Sequence, residues 1–480
     1  MNIQKSMLDG DRFLGEDEGI RKIARKLYVS VATLPIVSFH GHVPPKWLAE
    51  NTAFEDATEF FIIPDHYLFR FLHSTVGMSY DEIGIRRRDG SRGKDYDPRK
   101  VWRTFAENYH RLAGTPMKLW MDQQLRFVFG LTERLNADNA DKIYDAVTEK
   151  LHSDGFSPRA LYHEFNIAVL CTTDNPWDDL RYHQMVRDNP QWGVSMVPGW
   201  RPDGIANIID PAVWRENIGA LCRAENVDIK DADSLREALA RSRKRFIEMG
   251  ATLTDHGILY PRANPHKMLA SFMLARGPFS DEDRYLFTEH VTGVSAQLSA
   301  EDGLVQQIHA GVHRNTNPAI FRAYGPDMGF DIPGQVDFVH NLTPLLVRHQ
   351  GDEKYRCVAY CTDSLAIERE LIPLAGSYGN LFIGDSWWMR DHPSVIGRDL
   401  GTTMERDTSY FKRAGFPDDT RALGSIVVRH DTARRGWAYE LARKVLNGEM
   451  EIDEAKGAIM WKAYYGPLNV FRLQQYRRSA

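Results

Sequence analysis

The chain has 480 residues, 43% of them hydrophobic and 26% charged, with a formal net charge of -5 at pH 7. That length supports a large core, and the composition is ordinary for a soluble globular protein. The mildly acidic balance, with no long basic run, gives no electrostatic case for nucleic acid or an anionic membrane.

The first 33 residues read as an N-terminal helical segment. They are charged and contain no signal-type apolar centre. No later stretch approaches transmembrane length, so a cytoplasmic protein is expected. The four cysteines, Cys171, Cys222, Cys357 and Cys361, are too sparse for a disulfide framework and are expected as reduced thiols.

From residue 34 to the C-terminus the chain reads as one α/β unit. "LPIVSFHGHVPP" is an apolar run that ends in His40 and His42. On extended backbone, residues two apart point to the same side, so both rings aim at one place past the strand end. Imidazole is the commonest metal-ligand side chain, although most such pairs only pack. Residues 43–164 separate this run from the next, too far for a loop. Stretches such as "VWRTFAENYHRLAG" and "MKLWMDQQLRFVFG" mark a helical insertion over the strand ends, with "RRRDGSRGKDYDP" as a solvated loop inside it.

Strand-like runs then recur. "FNIAVLCTTD" ends at Asp174, "WGVSMVPGWRPD" carries Arg201 and Asp203, and "GATLTDHG" carries Asp255 and His256. "LVQQIHAGVHR" carries His309 and Arg314. "YRCVAYCTDS" ends near Asp363, "NLFIGDSWW" ends in Trp387 and Trp388, and "LGSIVVRHD" ends in Asp431. Between them lie helical stretches such as "DADSLREALARSRKRFIEMG", with an Asp/Ser start, helical apolar spacing and Gly250 as a stop. Eight strands alternating with helices, with chemically capable residues at their C-terminal ends, predict a (β/α)8 TIM barrel with its active site on that face. No strand is followed by a phosphate-binding glycine loop.

One barrel face thus gathers His40, His42, His309 and Asp431, counted to the first, fifth and eighth strands. Nitrogen and oxygen ligands of this kind suit one divalent metal, Zn²⁺ first, with Mn²⁺ or Fe²⁺ as alternatives. Asp363 imitates a closing motif but precedes the Trp-Trp strand, and is assigned to strand six.

This pattern resembles the metal site of the amidohydrolase superfamily. Within it, the chain is similar to the uronate isomerases, which interconvert glucuronate with fructuronate and galacturonate with tagaturonate. The similarity rests on "FHGHVPPKWLAEN", "DHYLFR", "CTTDNPWDDLRYH", "GWRPDGIANI", "TDHGI", "QIHAGVHRNTNPAIFRAYGPDMGFD" and "GDSWWMRDH". The family's closing strand usually reads Thr-Asp-Ser-Arg. In "RHDTARRGW", Asp431 is taken for that aspartate, and Arg434 or Arg435 for the arginine.

The resemblance implies proton transfer between C2 and C1 through an enediol. Asp431 would act as base, with Tyr67 and Arg434 stabilising the enediol oxygens and Asp255 assisting ring opening or holding a hydroxyl. Arg201 offers a bidentate fork to the carboxylate. His66, His309, Arg314, Trp387 and Trp388 complete the substrate pocket. The alternative is a mononuclear metal-dependent hydrolase or decarboxylase of a sugar acid. A bridged two-metal site lacks support, because "GATLTDHGI" has no lysine and "RCVAYCTDS" no histidine. The expected partner is a small hexuronate, with a homo-oligomer left open.

Overall fold

The computed structural model describes residues 10–277, 280–385 and 387–478. Its centre is a ring of parallel strands. Ile36–Ser38, Ile167–Cys171 and Met196–Val197 pair in chain order, with Val37 opposite Val169 and Cys171 opposite Val197. A bridge from Trp200 to Thr254 joins them to the fourth strand, Leu253–Ile258. That strand pairs with Val305–Ala310, which pairs with Cys357–Cys361, which pairs with Leu381–Ile383. The five residues of Ile167–Cys171 are all buried, as are those of Cys357–Cys361. Burial on both faces is why these strands read as apolar runs rather than alternating ones.

The eighth position is not where the sequence placed it. "LGSIVVRHD" is no strand: residues Ser425–Leu446 form one long helix. Ile426, Val427 and Val428 look β-prone because they are branched. The apolar pattern nevertheless continues at helical spacing through Ala433, Trp437 and Leu441, all buried. The ring is closed instead by the irregular segment 413–420. Arg413 bridges Ile383, and the Ala414 amide donates to the Ile383 carbonyl at 2.9 Å. The Asp419 amide then donates to the His40 carbonyl at 3.1 Å, and the His42 amide to the Thr420 carbonyl at 2.8 Å. This completes a (β/α)8 barrel.

Between the first and second strands the chain forms short helices, from Pro45–Glu50 to Pro158–Glu164. They carry an aromatic core of their own, including Phe60, Phe61, Trp102, Phe105 and Phe129. Helix His66–Phe71 brings this layer to the barrel mouth, and Asp65 caps its first turn. At the other end of the barrel, helix Glu18–Val29 packs on Ser425–Leu446. Among the described residues no helix is long and apolar enough to cross a membrane. The four cysteines are free thiols, and three of them are buried.

Candidate active site

His40 and His42 leave the first strand as the sequence suggests, their rings edge-on with centroids 5.3 Å apart. Gly41 between them keeps the packing loose enough for a neighbour: a Cβ there would lie a tight 3.0 Å from Asp418 Oδ1. The closing segment can therefore press against the first strand, and it delivers Asp419 to both rings. Asp419 Oδ1 lies 3.1 Å from His40 Nε2 and 3.0 Å from His42 Nε2. Its other oxygen accepts the Trp387 indole N–H at 2.9 Å. Asp419 has φ 46°, and Asp327 and Trp388 around the same pocket are also left-handed. Non-glycine residues held this way store strain, which collects at functional sites.

A second group meets the first. His309 Nδ1 is 2.7 Å from Asp255 Oδ1, and Arg201 Nη1 is 3.1 Å from Asp255 Oδ2. The His309 ring stacks on His40 at 4.4 Å and on Tyr360 at 4.1 Å, with Trp387 edge-on at 4.6 Å. Burial opposes ionisation of Asp419, but the two histidines overcome it and hold the acid well below the usual carboxylate range. Burial likewise works against Asp255, and Arg201 with His309 and His40 more than offsets it. Burial pushes the His309 pKa down to about 4 and the His66 pKa down to about 3. It works against protonating His40, but Asp255 and Asp419 raise that pKa on balance.

These residues suit a metal ion. Ligand atoms of His40, His42 and Asp419 lie within 4.8 Å of one another, and so do those of His40, Asp255 and His309. His40 Nδ1, both His309 nitrogens and both Asp255 oxygens are buried without an aligned hydrogen-bond partner. A carboxylate oxygen beside an imidazole nitrogen, with no aligned hydrogen bond, leaves lone pairs for a cation to satisfy. The donor set is nitrogen and oxygen, as divalent zinc, manganese or iron requires.

Around this centre lies a small polar pocket. His66, Arg201, Arg314, Trp387 and Trp388 line it. Arg201 spends its fork on Asp203, with Nε and Nη2 both 3.0 Å from Oδ2. Tyr67 lines an adjoining apolar cleft that shares Arg70 and Trp388 with the main pocket. Its hydroxyl is buried without a hydrogen-bond partner. Burial raises its pKa well above 10, so it is a neutral donor.

Asp431 and Arg434 do not belong to this group. Both sit on helix Ser425–Leu446 beside Leu34, Ile36 and Asn166, which precede or begin the first two strands. That is the opposite end of the barrel. Asp431 is held by Arg12, by the Tyr28 hydroxyl and by Arg435 Nε at 2.9 Å. Arg434 donates to the Ala32 and Leu34 carbonyls at 3.0 and 2.7 Å. Asp363 caps the turn after the sixth strand, its carboxylate accepting from the Leu365 amide at 3.0 Å. Asp419, Arg421, Asp327 and Arg70 were missed. The signal for the first two was present: Asp419-Thr420-Arg421 keeps the aspartate-to-arginine spacing of Thr-Asp-Ser-Arg.

A parallel barrel closed by an irregular eighth segment, with His-x-His after the first strand, a histidine on the fifth and an aspartate in the closing segment, has the amidohydrolase-type fold. Sequence comparison narrows this. The family model for glucuronate isomerase matches residues 10–468, and the chain belongs to that family. It is 41% identical to the uronate isomerase of Xanthomonas axonopodis pv. citri over 477 residues, covering 97% of this chain and 98% of that one. The uronate isomerase of Sphingopyxis alaskensis is also 41% identical, over 462 residues, covering 93% and 95%. The crystal structure of glucuronate isomerase from Caulobacter crescentus superposes with a TM-score of 0.93 at 37% identity, covering 98% and 99%.

Proposed function

We propose that this chain interconverts aldose and ketose forms of a hexuronate, glucuronate with fructuronate and galacturonate with tagaturonate. The observation that carries the reading is the full-length family match combined with Asp419 and Arg421 standing at the histidine pair. An aldose-ketose shift needs a base for the C2 proton and a route that returns a proton to C1. Asp419 is held as a carboxylate, so it can accept that proton. Arg421 lines the same pocket as a donor to oxygens that gain charge in an enediol. Tyr67 supplies a neutral hydroxyl to pass a proton between the C2 and C1 oxygens. Asp255, charged and beside His309, is suited to orient a sugar hydroxyl during ring opening.

His40, His42 and Asp419 would hold one divalent metal, Zn²⁺ by preference, with His309 and Asp255 beside it. Such an ion supplies Lewis-acid polarisation of a substrate oxygen. The free, mostly buried thiols support a reducing, cytoplasmic setting.

A proton NMR time course with glucuronate and galacturonate in D2O tests the reading. Ketose signals growing without added nucleotide, with deuterium entering the shifted position, are expected. If neither uronate changes at high enzyme concentration, the substrate assignment fails.

A further inference from the structure

The barrel carries a second cleft, at the end away from the histidines, and it is rich in cations. Arg12, Lys150, Arg434 and Arg435 line it. Its acids are Asp431, which Arg12 and Arg435 both meet, and Glu164, which is exposed to water. Arg434 and Lys150 form no ion pair among the described residues. Arg434 donates to the Ala32 and Leu34 carbonyls, and Lys150 Nζ donates to the Phe129 carbonyl at 2.6 Å.

This cluster also holds unspent donors. Arg434 and Arg435 are each only 5% exposed. Arg434 Nε is buried without an acceptor among the described residues. So is Nε2 of Gln123, which lines the same cleft and accepts from Arg12 at 3.3 Å through its amide oxygen. Arg435 places Nε on Asp431 and Nη1 on the Gly10 carbonyl, and its Nη2 has no acceptor among the described residues. Burial pulls the Arg434 pKa down to about 10, so it is still a cation at neutral pH. A buried cation held only by carbonyl dipoles is costly until an anion joins it.

We propose that this cleft is a binding site for a phosphate group, held by Arg434, Arg435 and Gln123 at the barrel end opposite the active site. Unspent N–H donors on three side chains match the three terminal oxygens of a phosphate group; a carboxylate offers only two. Guanidinium forks recognise phosphate with the same planar geometry. Phe127 and Phe156 line the cleft too and form an apolar wall for an organic body attached to the phosphate.

The test is calorimetric titration of the full chain with inorganic phosphate, against chloride at equal ionic strength, alongside melting curves. Phosphate should bind saturably and raise the melting temperature as its concentration rises, because it binds the folded chain. Arg434→Gln and Arg435→Lys should each raise the Kd about tenfold or more. Arg435→Lys keeps the charge beside Asp431, so it decides the matter if Arg434→Gln fails to fold. Arg421→Gln, in the active-site pocket, should leave this binding unchanged. Phenyl phosphate binding more tightly than inorganic phosphate would assign the cleft to a phosphorylated organic molecule, and equal or weaker binding would assign it to the free ion. Absence of saturable binding overturns the proposal. So does a Kd that stays within twofold of wild type in a folded Arg435→Lys, or binding that only Arg421→Gln abolishes.

Discussion

Trp387 donates its indole N–H to one oxygen of Asp419 at 2.9 Å, which leaves the other oxygen facing His40 and His42. The tryptophan comes from the loop after the seventh strand and the aspartate from the segment that closes the barrel. Their bond ties the closing segment to that loop and engages the oxygen the two histidines do not.

Replacing Asp419 with Asn should therefore abolish turnover. An amide cannot accept the C2 proton, and loss of a general base typically costs about 10²–10⁴-fold in rate. Asp431→Asn is the matched comparison. That residue lies at the other barrel end among Arg12, Tyr28 and Arg435. Its loss should lower the melting temperature while kcat stays within a few-fold. Steady-state kinetics with metal analysis on both variants decides. A dead Asp431→Asn beside an active Asp419→Asn would reverse the assignment.

Metal content follows from the same geometry. Protein purified without a tag should carry about one equivalent of a divalent ion by emission spectroscopy. Chelation should remove it and lower activity, and His42→Ala should reduce the stoichiometry. Two tightly held equivalents would point to a bridged centre, which the fourth and sixth strands do not furnish.

The contrast between Asp431 and Asp419 shows what the sequence made legible. The barrel could be read because its strands are buried on both sides and end in His40, Arg201, Asp255, His309 and the tryptophans. The closing segment could not be read by pattern, because "RAGFPDDTR" is broken by a glycine and a proline and forms only a bridge and a few ladder bonds. The branched run after it looked more like a strand and drew the assignment one helix too far. Charge balance in the pocket was out of reach too. That Arg201 meets Asp255 is a property of folded distances, not of spacing.

Gly415 should prove costly to replace. Its φ is +114°, and a Cβ there would collide with the Pro467 ring and stand 3.2 Å from Phe39. Phe39 itself stacks on Phe471 at 4.1 Å. Gly415→Ala combines backbone strain with overpacking, a loss of roughly 2–4 kcal/mol. Chemical denaturation measures it. Because the strain falls two residues from Pro417 in the segment that carries Asp419, kcat should fall as well. Unchanged stability would mean the closing segment follows a different path.

The pH dependence of stability should show the imprint of His290. The ring is buried, and its Nδ1 accepts the His266 amide at 2.9 Å, so that nitrogen must stay unprotonated. Burial, with His266 and Lys267 adding to it, lowers the pKa to about 4. In the unfolded chain a histidine titrates near 6.5. Above that value neither state binds the proton, and the native contribution is fully present. As pH falls from about 6.5 towards 4, the unfolded chain takes up a proton that the folded chain refuses, so stability is lost. Below the folded value both states are protonated and the loss levels off. The full span is up to about 3 kcal/mol. Other groups titrate in the same range, so the comparison is with His290→Gln, whose amide oxygen can still accept the His266 N–H. The unfolding free energy of wild type minus that of the variant, from urea titrations, should decrease steadily between pH 7 and pH 4. A difference that stays constant across that range would mean His290 is protonated in the folded protein, and the buried hydrogen bond to His266 would have to be redrawn.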